Sequence, residues 1–116
     1  MIAVLFEVQL APGRAADYLA EAAALREALE AIEGFISVER YQSLVDPDRL
    51  LSLSFWRDEE AVARWRTLER HREAQARGRA GVFADYRLRI ANVVRDYGMH
   101  TPREQAPEDS RRHHGG

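Results

Sequence analysis

The chain contains no cysteine, which removes disulfide staples, thiolate nucleophiles and cysteine metal sites, and is compatible with a reducing compartment. It lacks a charge excess of either sign. Lys plus Arg is 17 against 19 acidic residues, too even a balance to leave a broad footprint for nucleic acid or anionic lipid. Long hydrophobic runs are also missing: the opening MIAVLFEVQL has no basic flank and is interrupted by Glu7 and Gln9, so it reads neither as a signal peptide nor as a membrane span, and a cytoplasmic protein is expected. No phosphate loop, nucleophile elbow or metal-spaced cluster occurs, and His113-His114 near the end are too few for a specific metal site. No metal and no cofactor is therefore expected.

What is present is patterning. At 116 residues and 46% hydrophobic the chain can bury one ordinary core. From Ile2 to Leu10 every even position is apolar, a strand with one fully buried face. Pro12-Gly13 breaks it. Tyr18, Leu19, Ala22, Leu25, Leu29 and Ile32 then recur at helical spacing, and Gly34 is the natural stop. The stretch 35–45 reads as a second strand, and Asp46-Pro47-Asp48 turns it into a third over 50–56 to form an antiparallel hairpin pair. In that third strand Leu51, Leu53 and Phe55 alternate with Ser52, Ser54 and Trp56.

Asp58 stands where an N-cap belongs, and Glu59 and Glu60 fall in the first turn, where carboxylates oppose the positive end of the helix dipole. Ala61, Val62, Trp65 and Leu68 continue at helical spacing to a stop near Arg77. After a short irregular turn carrying Val82 and Phe83, residues 86–94 alternate as a last strand ending near Tyr97 and Gly98. From His100 onward there is no apolar residue larger than alanine or proline, so 99–116 is expected to be a disordered polar tail on a domain of residues 1–98.

Strand, helix, strand, strand, helix, strand is the split βαββαβ form of the ferredoxin-like sandwich, an α+β fold with both helices on one face of one sheet. If the helices cover the even parity of the first and last strands, the other face carries Leu5, Glu7, Phe35, Ser37, Glu39, Tyr41, Trp56, Arg87, Arg89 and Val93. That mixture suits a homodimer in which a second copy buries the aromatics and brings Glu7 and Glu39 towards Arg87 and Arg89.

Several pieces together resemble a known family: the opening strand into Pro12-Gly13, Glu33-Gly34-Phe35 before the second strand, Phe55-Trp56 leading to Glu60, Trp65 and His71, and Arg95-Asp96-Tyr97 at the close. Over residues 1–98 the chain is similar to the antibiotic biosynthesis monooxygenase domain, whose members are dimeric α+β barrels. The resemblance implies oxidation of a small aromatic, phenolic or quinol-type molecule without metal or flavin; a non-catalytic small-molecule-binding or stress-related dimer of the same fold is the alternative. The haem-degrading branch of the superfamily uses a first-strand asparagine, a helix tryptophan and a histidine ten positions later. Trp65 matches, but Phe6 and Gln75 stand at the other two positions, so haem degradation is not expected.

His71 is the only histidine before His100 and the tail. It is the candidate general base, since a neutral imidazole accepts a proton near neutral pH, and it could equally be a surface or dipole-partner residue. Phe6, Trp65, Phe83, Tyr86 and Leu88 are the candidate pocket walls, with Asn92 as a hydrogen-bonding partner for a phenolic ligand; ordinary core packing is the competing role for Trp65 and Tyr86.

Overall fold

A computed structural model of the chain describes residues 1–76 and 83–100, with side chains described through 68 in the second helix and again from 83. The expected tail beyond His100 and the turn at 77–82 lie outside the described residues. The elements are β1 (Ile2–Leu10), α1 (Ala15–Glu30), β2 (Phe35–Gln42), β3 (Arg49–Trp56), α2 (Glu59–Ala76) and β4 (Phe83–Asn92). One four-stranded sheet has the order β2-β3-β1-β4, antiparallel throughout. This is the ferredoxin-like arrangement expected from the element order.

Local chemistry explains the joints. The β2–β3 connection closes as Ser43 Oγ accepts from the Val45 and Asp46 backbone N–H groups and Asp46 Oδ1 accepts from that of Asp48, the side-chain mimicry that makes Ser and Asp turn formers. Asp58 caps α2 by accepting from the Ala61 N–H at 3.0 Å. Gly34 has φ +92, and a Cβ there would lie 2.6 Å from the Cβ of Ala61. Only glycine lets the chain leave α1 and pass this close to the start of α2.

The core forms two clusters on the helix-covered face. Ile2, Val4, Leu29, Val38, Trp56, Ala61, Val62 and Trp65 make the larger; Val8, Leu10, Tyr18 and Leu50 make the smaller.

Three placements correct the sequence expectation. Trp56 is not on the open face: it is 0% exposed, pairs with Ile2 and packs against Trp65 and Phe35. Residues directly opposite in an antiparallel ladder share a face, so the pairing of Trp56 with Ile2 commits Ser54 and Ser52 to the covered side beside Val4 and Phe6, and leaves Leu51, Leu53 and Phe55 opposite Glu7, Leu5 and Ala3. Indole burial decides the parity, and Ser54 Oγ satisfies the ring by accepting its N–H at 2.9 Å. Phe35 also joins the covered side, because the register shifts between Phe35 and Ser37. Glu7 meets Arg89 at 2.8 Å within the chain itself, on the open face, where the expectation had such pairs forming through a second copy. Val93 lies just past the end of β4.

Candidate functional site

The two core clusters do not meet flush. Between them is a small cavity of about 20 Å³, roughly the space one water needs. Its floor is sheet: Val4 and Phe6 from β1, Ser52 and Ser54 from β3, Val38 and Arg40 from β2. Its roof is Tyr18 and Leu29 of α1 and Trp65 of α2. Trp65 is therefore both core and cavity wall, the two roles left open by its spacing.

Phe6 is the hinge between this cavity and β4. Its ring lies 5.6 Å from that of Tyr86 and 6.4 Å from that of Phe83, and Phe83 lies 5.9 Å from Tyr18. Four aromatics from β1, α1 and β4 thus form one group, in the tilted and edge-on geometries that ring quadrupoles prefer. Phe83 takes part as the first residue of β4, not from a turn. Leu88 sits directly across the ladder from Phe6. Tyr86 and Leu88 remain 56% and 37% exposed, so an apolar strip continues from the cavity along the uncovered part of β4.

Phe6, Trp65, Phe83, Tyr86 and Leu88 are accordingly brought to one region. Asn92 is not: it pairs with Ile2 at the other end of the strand, four positions beyond Leu88 and roughly 13 Å along β4. His71 belongs to α2, and its side chain lies outside the described residues, as does that of Gln75.

Sequence reasoning missed Arg40, Tyr18 and the two serines. Arg40 is half-buried, and its Nε is wholly buried without a hydrogen-bond partner among the described residues. The available signal was parity, since Arg40 lies two residues from the buried Val38 on the same strand. No group of three His, Cys, Asp or Glu side chains converges among the described residues. A second, open depression of about 220 Å³, lined by Glu7, Gln9, Arg49, Asp85 and Arg87 among others, mixes charges of both signs at the β1–β4 edge. No described helix is long and apolar enough to cross a membrane.

Comparison with known proteins follows the same lines. A family model described as antibiotic biosynthesis monooxygenase matches residues 1–77. A curated protein of Pyricularia oryzae named jasmonate monooxygenase is 49% identical over 94 residues, covering 81% of this chain and 44% of its own length; the chain thus spans less than half of that relative. Among solved structures, a candidate antibiotic biosynthesis monooxygenase of Deinococcus radiodurans superposes with TM-score 0.72 at 13% identity, covering 84% of this chain and 97% of the other. A Bordetella bronchiseptica protein of the same description gives 0.67 at 21%, covering 80% and 96%. An MhuD variant holding two manganese protoporphyrin IX molecules per active site gives 0.68 at 21%, covering 84% and 99%. At these identities the likeness is one of fold.

Proposed function

Because the chain belongs to the antibiotic biosynthesis monooxygenase family, we propose that it oxidises a small, largely apolar aromatic or quinol-type molecule held between the sheet and the helices, with no metal or flavin. The observation that carries this reading is the aromatic group of Phe6, Tyr18, Phe83 and Tyr86 leading into the cavity under Trp65. The ligand enlarges that narrow space by displacing the roof, and flat rings offer it a surface to stack on. The jasmonate monooxygenase name of the Pyricularia relative supports a small organic substrate and an oxygenase chemistry.

The reaction needs a proton acceptor. Removing a proton from an activated CH2 flanked by aromatic rings gives an electron-rich anion that reduces oxygen; one oxygen atom ends on that carbon as a ketone, and the other leaves as water with the two hydrogens the carbon loses. His71 is the proposed base, with a dry aromatic site favouring the anion. A homodimer formed through the open face, where Leu51, Leu53 and Phe55 stand among charged residues, completes the proposal.

A binding-only protein is the second reading, and one observation favours it: none of the described cavity-lining side chains is a carboxylate or an imidazole. Oxygen uptake by the purified protein with anthrone separates the two. We expect turnover that falls about a hundredfold or more in His71→Ala, the usual worth of a positioned base, with the fold intact by circular dichroism. No uptake by the wild type leaves the binding reading; full activity in His71→Ala removes the histidine from the chemistry.

A further inference from the structure

Arg40 differs from the chain's other described arginines in being half-buried without an ion pair. Arg14, Arg26, Arg57, Arg64 and Arg89 each meet a carboxylate of the chain. Among the described residues Arg49, Arg66, Arg87 and Arg95 meet none but are exposed, whereas Arg40 is half-buried and no ion pair includes it. Its Nε is buried with no acceptor among the described residues, and Arg40 lines the cavity. A guanidinium cannot shed its charge at any ordinary pH, and a buried donor left unpaired is costly. On a strand whose neighbouring covered position is the apolar Val38, an apolar residue would fill the same place without that cost. The arginine fits a role towards something other than the chain.

The strand registers say how such a ligand lies. Arg40 pairs with Ser52, Ser52 with Phe6, and Phe6 with Leu88. These four residues form a single row across all four strands, on the helix-facing side, in the order cation, hydroxyl, aromatic ring, aliphatic chain. Three interstrand steps of about 4.8 Å make the row roughly 14 Å long. The neighbouring row, Val38, Ser54, Val4 and Ile90, has no charge, and its serine hydroxyl is already engaged by Trp56. Polarity is therefore graded along this row, from a half-buried cation at β2 to an exposed apolar strip at β4.

Resting on the reading of this space as the substrate pocket, we infer that its ligand is an amphipathic carboxylic acid bound as the anion. The carboxylate lies on Arg40 with Ser52 beside it, and the apolar body crosses Phe6 towards Leu88 and Tyr86. Arg40 sets the substrate class: a planar guanidinium pairs with a carboxylate through parallel N–H donors, and does so most strongly where water is excluded.

Isothermal titration with 2-naphthoate and its neutral isostere 2-naphthamide tests this. The wild type is expected to bind the acid at least tenfold more tightly than the amide. Arg40→Met, which keeps the side chain's length without its charge, is expected to abolish that preference while still binding the amide, and Arg40→Lys to retain part of it. The comparison of the two ligands on the wild type needs no variant to fold. Equal binding of acid and amide by the wild type overturns the carboxylate assignment while leaving an apolar pocket in place. A preference for the acid that survives in Arg40→Met overturns the role of Arg40. Binding of neither overturns the pocket reading itself and this inference with it.

Discussion

The covered face of the sheet holds two unlike regions less than two turns of α2 apart. At the end where β1 starts and β3 finishes, Trp56, Ala61 and Val62 are each 0% exposed, Phe35 and Trp65 pack on the Trp56 ring, and Gly34 lets α2 come within touching distance of the turn before β2. Midway along the strands the packing opens into a space with a cation and two hydroxyls on its floor. The first region holds the fold, and the second is the one proposed to take a ligand. The difference lies in what the buried polar atoms do: Ser54 is consumed by the Trp56 indole, whereas the Arg40 Nε has no partner among the described residues.

The largest expected effect comes from emptying the packed end. Trp56→Ala removes a fully buried indole and leaves a hole that neighbouring rings fill only in part, at a cost of roughly 3–5 kcal/mol. Urea denaturation should show a midpoint lowered to match. A loss below about 1 kcal/mol would mean that this end is no better packed than the cavity, and the contrast would collapse.

The two serines give a finer comparison, since they occupy successive covered positions of one strand. Ser54→Ala leaves the buried Trp56 N–H without its acceptor and should cost about 1–3 kcal/mol. Ser52 has no such partner among the described residues, so Ser52→Ala should be close to neutral for stability. Its effect should appear in ligand affinity instead. Equal losses for the two variants, read from the same urea titration, would show that the polar atoms of the two regions are not differently employed.

Much of the fold was legible because the period of the apolar residues changes cleanly from two to about 3.6 and back, at Pro12-Gly13, at Gly34 and at Asp58. Parity on β1 and β4 was equally plain, and with it the meeting of Phe6, Tyr86 and Leu88; Phe83, expected in a turn, joins them as the start of β4 through the register shift between Gln9 and Leu10. β3 was misleading for a physical reason. Leu51, Leu53 and Phe55 make the more apolar of its two faces, yet they lie on the open side, because one tryptophan with a hydrogen-bonded ring outweighs three smaller side chains in choosing which face is covered. Arg40 was missed for a related reason: its parity with Val38 was visible, but a charged residue in a mixed strand reads as solvated, and the pairing of Arg40 with Ser52 and of Ser52 with Phe6 puts it on the covered side. Asn92 had the right parity but the wrong distance, which parity does not encode.

The smallest expected effect concerns the cap that holds α2 over the packed end. Asp58 accepts from the Ala61 N–H and faces the Arg57 guanidinium at 3.0 Å; the backbone hydrogen bond first, and then Arg57, hold its carboxyl below the usual aspartate range. The folded state thus prefers the ionised form, so the carboxylate's contribution is complete above the unfolded-state pKa of about 3.9 and is lost as pH falls through the lower folded value. Asp58→Ala should therefore lower the melting temperature by a few degrees at pH 7, and the gap between variant and wild type should close on acidification below pH 4. Because Ala61 both donates its N–H to the cap and abuts Gly34, fraying of this turn loosens the packed end first. Binding of 2-naphthoate at pH 7 should be little changed in the same variant. A gap that stays constant down to pH 3 would show that the side chain acts by packing and not as an anion, and a large loss of binding would show that the two regions of the covered face are mechanically one.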